Sequence, residues 1–558
     1  MALARTGKAE QVQDDQPFEY SPVGIHDIRL LELLPSLDFD SEIHCKISHS
    51  SLEKHPPYEA LSYVWGGSNY TTSVQVGGRP HQVTTNLELA LRYLRLYENS
   101  RLLWVDAICI NQHDILEKND QVAQMRWIYL GAEKVVVWLG EEENAGMALK
   151  FCSMIQNGSS VTRFQKEVER NGLTIEEVWS SCNSLFGRPW WTRTWVLQEV
   201  IHTRPTTVYI GNIQLDLDDL CAKYSDYQNH KHMHSSTERD NKGKIDIYSG
   251  IFRIEAMIDT VGIIGWRREQ LMTSEEHNDP IIGMMSALHM SRFQQCQDPR
   301  DKIYGLCGLI SDVNLTIDYS ISKSELYSAT MKEMLFRYPE SLLLVESPER
   351  EIGSEKLPSW VADWSTSRSL VPAIMSFWAN DAFCCSGDSD RDINNYSLKP
   401  RFQIANSTLV MRAIQVGTIT RTSFVKVIFG IGEEYQDTMK VFAYDKNQGD
   451  TKSISDQNPL HKPMSSTMTM SNSSWGPHWA DKGDIIVVSN LCWAPLVLRR
   501  GHDSCLFVGG CWLVDSEVQG SQSREMSDVE ALSKDPGFSP IMHGSAWDED
   551  RLQEFHIR

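Results

Sequence analysis

Short apolar runs of strand length alternate, through the first part of the chain, with longer stretches whose apolar residues recur at helical spacing. DIRLLELL (Asp27 to Leu34) and EIHCKIS (Glu42 to Ser48) read as strands, and YEALSYVWGG (Tyr58 to Gly67) as a third that stops at a double glycine. VQVGGRPHQV (Val74 to Val83) has the form of a hairpin, with Gly77-Gly78 supplying the turn. TTNLELALRYLRLY follows as a helix, in which Thr85 and Glu88 have capping-box spacing. LLWVDAICI (Leu102 to Ile110) and KVVVWLG (Lys134 to Gly140) are almost continuously apolar, which predicts strands buried on both faces. Helices are expected from about Ile115 to Leu130 with Gly131 as the stop, around Gly146–Gln156 and Ile175–Phe186, and through WWTRTWVLQEV. TTVYIGNIQL (Thr206 to Leu215) reads as one further strand.

Strands alternating with helices predict an α/β fold: a mainly parallel, flavodoxin-like sheet with flanking helices over residues 21–220. Residues 1–20 are polar and expected to be a disordered tail. From 221 to 354 the pattern turns helical, and from 355 to 558 short β-like segments dominate a mostly β C-terminal unit. Within it, residues 444–478 are rich in Ser, Thr, Met, Asn and Pro and read as a disordered insertion.

Composition narrows the partners. The chain is 41% hydrophobic and 23% charged, as expected of a globular protein, and at 558 residues exceeds what one core supports. A formal net charge of −21 argues against a general nucleic-acid binder, which needs a basic stripe to neutralise phosphates. No apolar run reaches membrane-spanning length and the N-terminal residues lack a signal-type apolar region. Twelve cysteines occur without a CxxC pair. These features together predict reduced thiols and a cytoplasmic location, with no cofactor and no bound metal.

The familiar catalytic signatures are absent: no P-loop, no GxGxxG after a strand, no HExxH and no GxSxG. His230, His232 and His234 would share a face if extended, but their surroundings are loop-like. Cys109 with His113 has the elements of a thiol nucleophile, although Cys109 sits in an apolar run where an inert thiol is the default. Glu117, Asp120 and Gln121 fit a solvated helix start. Asp298, Arg300 and Asp301 fit a turn and helix start with ion pairs, joining the helical region to the α/β domain.

Three pieces in order, YEALSYVWG, LWVDAICINQHDILEKNDQVAQMRWIYLGAEKVVVWLG and RPWWTRTWVLQEV, closely resemble the heterokaryon incompatibility (HET) domain of filamentous fungi over about residues 21–200. DPRDKIYGLCGL (Asp298 to Leu309), LPSWVADW (Leu357 to Trp364) and GDIIVV (Gly483 to Val488) resemble full-length members. The resemblance implies non-self recognition and cell death when incompatible cells fuse. It also implies a Toll/interleukin-1 receptor (TIR)-like domain, some examples of which cleave NAD at the nicotinamide–ribose bond with one glutamate in a WxxxE helix. Trp195 and Glu199 have that spacing here.

On that reading Glu199 is the catalytic carboxylate, with NAD a substrate rather than a cofactor. Trp195 would lie beside it and raise its pKa by excluding water. The alternative is a structural carboxylate paired with Arg193, Arg188 or Arg126. Asp106, at the end of a buried strand, and Asn111 and Gln112 in the adjoining loop are candidate ligand groups, or else a turn cap and loop amides. Tyr63, Trp65 and Gly66 could receive a flat ring, or simply pack and turn. A non-catalytic module acting by self-association or by binding an incompatibility partner protein stays open, as does an accessory role beside secondary-metabolism genes.

Overall fold

Ala60, Leu61 and Val135 to Val137 are all fully buried, and the strands that carry them lie at the centre of a nine-stranded sheet in the computed structural model. The structure describes residues 18–66, 71–156, 161–202, 204–227, 260–273, 283–291, 294–310, 313–338, 341–342, 345, 357–366, 402–405, 407–428, 436–446, 474–476, 480–489, 496–510 and 553–558. These fall into two compact units, one drawn from residues 1–236, 259–282 and 294–320, the other from the remainder.

The first unit holds β1 (Asp27–Leu33), β2 (His44–Ser51), β3 (Glu59–Ser62), β4 (Thr71–Val76), β5 (Arg79–Thr84), β6 (Arg101–Trp104), β7 (Lys134–Trp138), β8 (Thr206–Ile210) and β9 (Ile213–Asp216). Their order is β5-β4-β2-β1-β6-β3-β7-β8-β9. The fold is α/β and the sheet is mixed. β6, β3, β7 and β8 run parallel, while β1 pairs antiparallel with β2 and β6, and β9 with β8. In chain order the parallel four are second, first, third and fourth, the flavodoxin-like arrangement. The edge strand β9 exposes alternate residues, as half-buried strands do.

Around the sheet lie α1 (Thr85–Leu94), α2 (Asp106–Cys109), α3 (Ile115–Gly131), α4 (Ala145–Gln156), α5 (Val161–Arg170), α6 (Ile175–Phe186) and α7 (Val196–Val200). Several local expectations shift. LLWVDAICI is not one strand: β6 ends at Trp104 and Asp106 opens a turn of helix. Every residue of that run is buried or nearly so, and burial on all sides hides the change of period. The helix cap falls on Thr84, whose hydroxyl accepts from the Leu87 amide, leaving Glu88 to pair with Arg92. Gly131 is the last residue of α3; a Cβ there would lie 3.2 Å from the Tyr58 hydroxyl, so the glycine serves close approach. TTVYIGNIQL is a hairpin turning at Gly211, which has φ +56°. Helix α5 was not foreseen.

WWTRTWVLQEV also divides. Pro189–Thr192 is a 3-10 turn, Arg193 is extended, and α7 begins only at Val196. The break has a tertiary cause. The extended backbone at Arg193 bridges Gln295, whose carbonyl accepts the Thr194 amide at 3.0 Å.

One buried ion pair ties β1 to α3. Arg29, 1% exposed, holds Glu117 through both terminal nitrogens, at 2.5 and 2.9 Å, and donates to the Cys109 carbonyl. Glu117 also accepts the Asn111 amide at 2.7 Å, so it is a structural anchor for that loop rather than a solvated helix start.

The second unit contains the helices Met284–Met290 and Lys323–Arg337, the latter opened by a Ser322/Glu325 capping box. Its strands are β10 (Phe402–Ala405), β11 (Thr408–Ile428), β12 (Gln436–Lys446), β13 (Ser474–Gly476), β14 (Ile485–Ser489), β15 (Leu496–Arg500), β16 (Cys505–Gly510) and β17 (Gln553–Ile557). The long β11 pairs with β10, β12, β14 and β17, and the pairings β11–β14–β15–β16–β17–β11 close on themselves. Closure removes exposed edges from the ring. β12 and β13 occupy both margins of the expected 444–478 insertion; its remainder lies outside the described residues, as do the 1–17 tail and His230, His232 and His234.

Candidate functional site

The carboxyl ends of β3 and β6, one face of α3 from Lys118 to Met125 and the 3-10 turn before α7 surround a cavity of about 340 Å³. Its size suits a small polar molecule or one end of a larger one. Asp106, Gln112, Trp65, Gly66, Arg193 and Trp195 all line it, although they are far apart in sequence. Open α/β sheets place ligand crevices at this carboxyl edge.

Asp106 is 8% exposed. Its Oδ2 accepts the Trp65 indole N–H at 2.8 Å and its Oδ1 the Ala107 amide at 2.7 Å. Burial pushes its pKa up to about 6; Glu199 adds to the rise, and Arg193 with the two hydrogen bonds opposes it. The carboxyl is therefore poised to exchange a proton near neutral pH. Gln112 reaches back to the Asp106 carbonyl at 3.1 Å, fixing the loop.

Glu199 is not among the lining residues. It is 1% exposed, and Arg193 grips it with two hydrogen bonds of 3.2 and 3.0 Å. The Ser62 hydroxyl donates to it as well, while accepting the Trp190 indole N–H at 2.8 Å. Its backbone carbonyl faces His202 Nε2 at 2.7 Å. Because the Arg204 amide donates to His202 Nδ1, the ring proton sits on Nε2 and donates to that carbonyl. Burial depresses the His202 pKa to about 4, so the ring is neutral.

Trp195 does not serve Glu199 through its indole nitrogen. It donates to Asp301 Oδ2 at 3.1 Å, and the Tyr319 hydroxyl donates to Asp301 Oδ1 at 2.6 Å. Burial lifts the Asp301 pKa to about 6. Tyr63 is buried behind the wall, its phenol pushed well above the usual range by burial and by Asp106. Asn111 caps its own loop by accepting the His113 amide. Cys109 is sealed, with burial raising its thiol to about 12.

Sequence reasoning missed Asp301, Tyr319, Gln297 and Lys118 as cavity residues. DPRDKIYGLCGL stood out as a motif, but nothing in its spacing linked it to Asp106. The structure docks it on α7: the Gly308 amide donates to Gln198 Oε1 at 2.9 Å, and a Cβ on Gly308 would collide with that amide at 2.4 Å. Asp298 pairs with Arg300 as expected, at 2.7 Å. Asp301 instead turns toward the cavity.

Residues 58–199 match the heterokaryon incompatibility protein (HET) family. This stretch is a HET domain. A protein named heterokaryon incompatibility protein 6, OR allele, from Neurospora crassa is 27% identical over 434 residues, which cover 65% of this chain. The chain in turn spans 62% of that relative's length. No solved structure matches. The HET match begins at Tyr58 and ends at Glu199, so the cavity wall from Gln295 to Tyr319 lies outside it. Among the described residues, no group of three or more His, Cys, Asp or Glu is placed to hold a metal ion, and no helix is long and apolar enough to cross a membrane.

Proposed function

We propose that the chain acts in heterokaryon incompatibility, and that its HET domain contributes by hydrolysing the N-glycosidic bond of NAD in the Asp106 cavity. The observation that carries this reading is the placement of Asp106: a cavity-facing carboxyl with its pKa raised to about 6, bonded to Trp65 in a cavity that Trp195 also lines. In the proposed reaction the bond between ribose C1′ and the nicotinamide nitrogen breaks, and its electron pair neutralises the pyridinium. The ribosyl cation that develops is stabilised by ionised Asp106. Water then adds to C1′ and gives its proton to Asp106, yielding ADP-ribose and free nicotinamide. Glu199 acts here as a positioning residue: it fixes Arg193, which faces both carboxylates. The same geometry supports a TIR-like descent of function with the working carboxylate moved from the α7 helix to the β6 edge.

One observation favours a second reading. Glu199 is closed off by Arg193 and Ser62, the arrangement expected of a scaffold in a non-catalytic module that self-associates or binds a partner protein. Release of nicotinamide from NAD by the full chain distinguishes the two. The hydrolase reading expects release by the wild type and its loss in Asp106→Asn. Background release by the wild type, with cell killing intact, would leave the module reading.

A further inference from the structure

We infer that Asp301, supplied from more than ninety residues beyond the HET match, is a second ligand-binding carboxylate of this cavity, and that with Asp106 it selects a ligand carrying a cationic aromatic ring. This rests on the cavity's being a ligand site, and it adds the chemical feature that the site reads.

The charges on the wall are unequally matched. Arg193 is held by Glu199 and Asp298 by Arg300. Lys118 lies over the Tyr319 ring, 4.1 Å from its centre. Asp301 receives its two hydrogen bonds from neutral donors, the Trp195 indole and the Tyr319 phenol. Asp106 is likewise met by the Trp65 indole and a backbone amide. Each carboxylate is thus fixed in position by a tryptophan that leaves its negative charge in place. Two desolvated carboxylates beside two indoles favour a flat cation twice over, by direct attraction and through the ring faces. Burial raises both carboxyls to about 6, although Arg193 opposes the rise at Asp106 and Lys118 opposes it at Asp301. A neutral ring of the same shape would add no positive charge to what Arg193 and Lys118 supply from the wall.

The consequence is discrimination by charge at constant shape. A carbocyclic NAD analogue, whose ribose oxygen is a methylene, cannot undergo the proposed hydrolysis but keeps the pyridinium. Its reduced form has a neutral dihydropyridine. Calorimetric titration of the full chain at pH 7 is expected to favour the oxidised analogue by about tenfold or more, the scale of one charge-assisted contact plus a cation–π contact. Asp301→Asn is expected to shrink that preference to about threefold or less.

Tyr319→Phe guards against a folding artefact, because it keeps the carboxyl and removes only a donor that favours its ionised form. Its preference should fall at pH 7 and recover at pH 8, where Asp301, with Asp298 and Lys118 as its neighbours, is ionised. Equal wild-type affinity for the two forms overturns the inference while leaving the ligand site standing. So does a folded Asp301→Asn protein with undiminished preference. Wild type that binds neither form overturns the ligand site itself.

Discussion

Arg193 holds Glu199 through both terminal nitrogens, at 3.2 and 3.0 Å, and separates that carboxylate from the cavity that Arg193 itself lines. The pair is asymmetric: the Arg193 side chain is 16% exposed and that of Glu199 only 1%. Burial lowers the Arg193 pKa and Glu199, then Asp106, more than restores it, for a net rise. The guanidinium is thus a fixed positive charge whose position is dictated from behind.

Removing one partner should be far worse than removing both. Glu199→Gln leaves Arg193 without its main counter-charge and is expected to lower stability by about 3–5 kcal/mol. The double variant Glu199→Gln with Arg193→Met should recover most of that loss. Urea denaturation of the four proteins measures the coupling. Additive losses would mean that the pair carries no specific interaction.

How far the sequence alone leads depends on which physical signal each feature uses. β7 and helices α4 and α6 were legible almost to the residue, because a strong apolar run or a capping residue marks them. The break at Arg193 was not, since the residue that stops the helix is Gln295, a hundred positions away. Asp106 and Trp65 were singled out by their places at strand ends, and Arg193 as a possible partner of Glu199; the three line one cavity. Asp301 was read as part of an ion-paired turn and helix start because its two donors come from Trp195 and Tyr319, and contact between remote segments leaves no local period. Glu199 was legible as a carboxylate in an apolar helix. Which way it faces was decided by Ser62, on a strand 137 positions earlier.

The cavity should have a pH signature. Asp106 has a raised pKa, so below about pH 6 it is protonated and can neither steady a ribosyl cation nor accept a proton. The groups that face it are Arg193, Glu199, Tyr63, the Trp65 indole and the Ala107 amide. Arg193 and Tyr63 are both raised and do not change charge in the acid range. Nicotinamide release is therefore expected to rise about tenfold per pH unit below that pKa and level off above it. Asp106→Asn should give a low, flat profile. A wild-type profile that is flat from pH 5 to 7 would exclude Asp106 as the working group.

Stability against pH should show two opposed contributions. Asp106 and Asp301 titrate near 6 in the fold against 3.8 unfolded, so the folded state holds extra protons between those values. Their contribution falls as pH rises through that window, by roughly 3 kcal/mol each at most. His202 behaves in the opposite sense. Its pKa is depressed from 6.5 to about 4, so its contribution is lost as pH falls across that interval. The two trends offset each other in the wild type. Asp106→Asn removes about half of the carboxyl trend and leaves that of Asp301, so on acidification from pH 6.5 to 4 thermal midpoints should shift downward relative to the wild type. A parallel pair of curves would show that Asp106 is ordinary in the fold.

The end of α7 depends on a residue from a distant helix. Arg268, on the helix Thr260–Thr273 and 1% exposed, donates to the carbonyls of Val200 at 2.9 Å, His202 and Arg204 at 3.3 Å. It also grips Asp218 through Nε and a terminal nitrogen, at 2.5 and 2.8 Å. One guanidinium thus serves carbonyls that a five-residue helix cannot satisfy by itself. Arg268→Met should strand those carbonyls in a buried setting and destabilise the fold by about 3 kcal/mol or more. Asp218→Asn is expected to cost less, because Asp218 is 34% exposed and the carbonyls keep their donor. Denaturant midpoints for the two variants should fall in that order. The reverse order would mean that Arg268 matters as a charge partner for Asp218, and not as the cap that holds Glu199 and its helix behind the cavity.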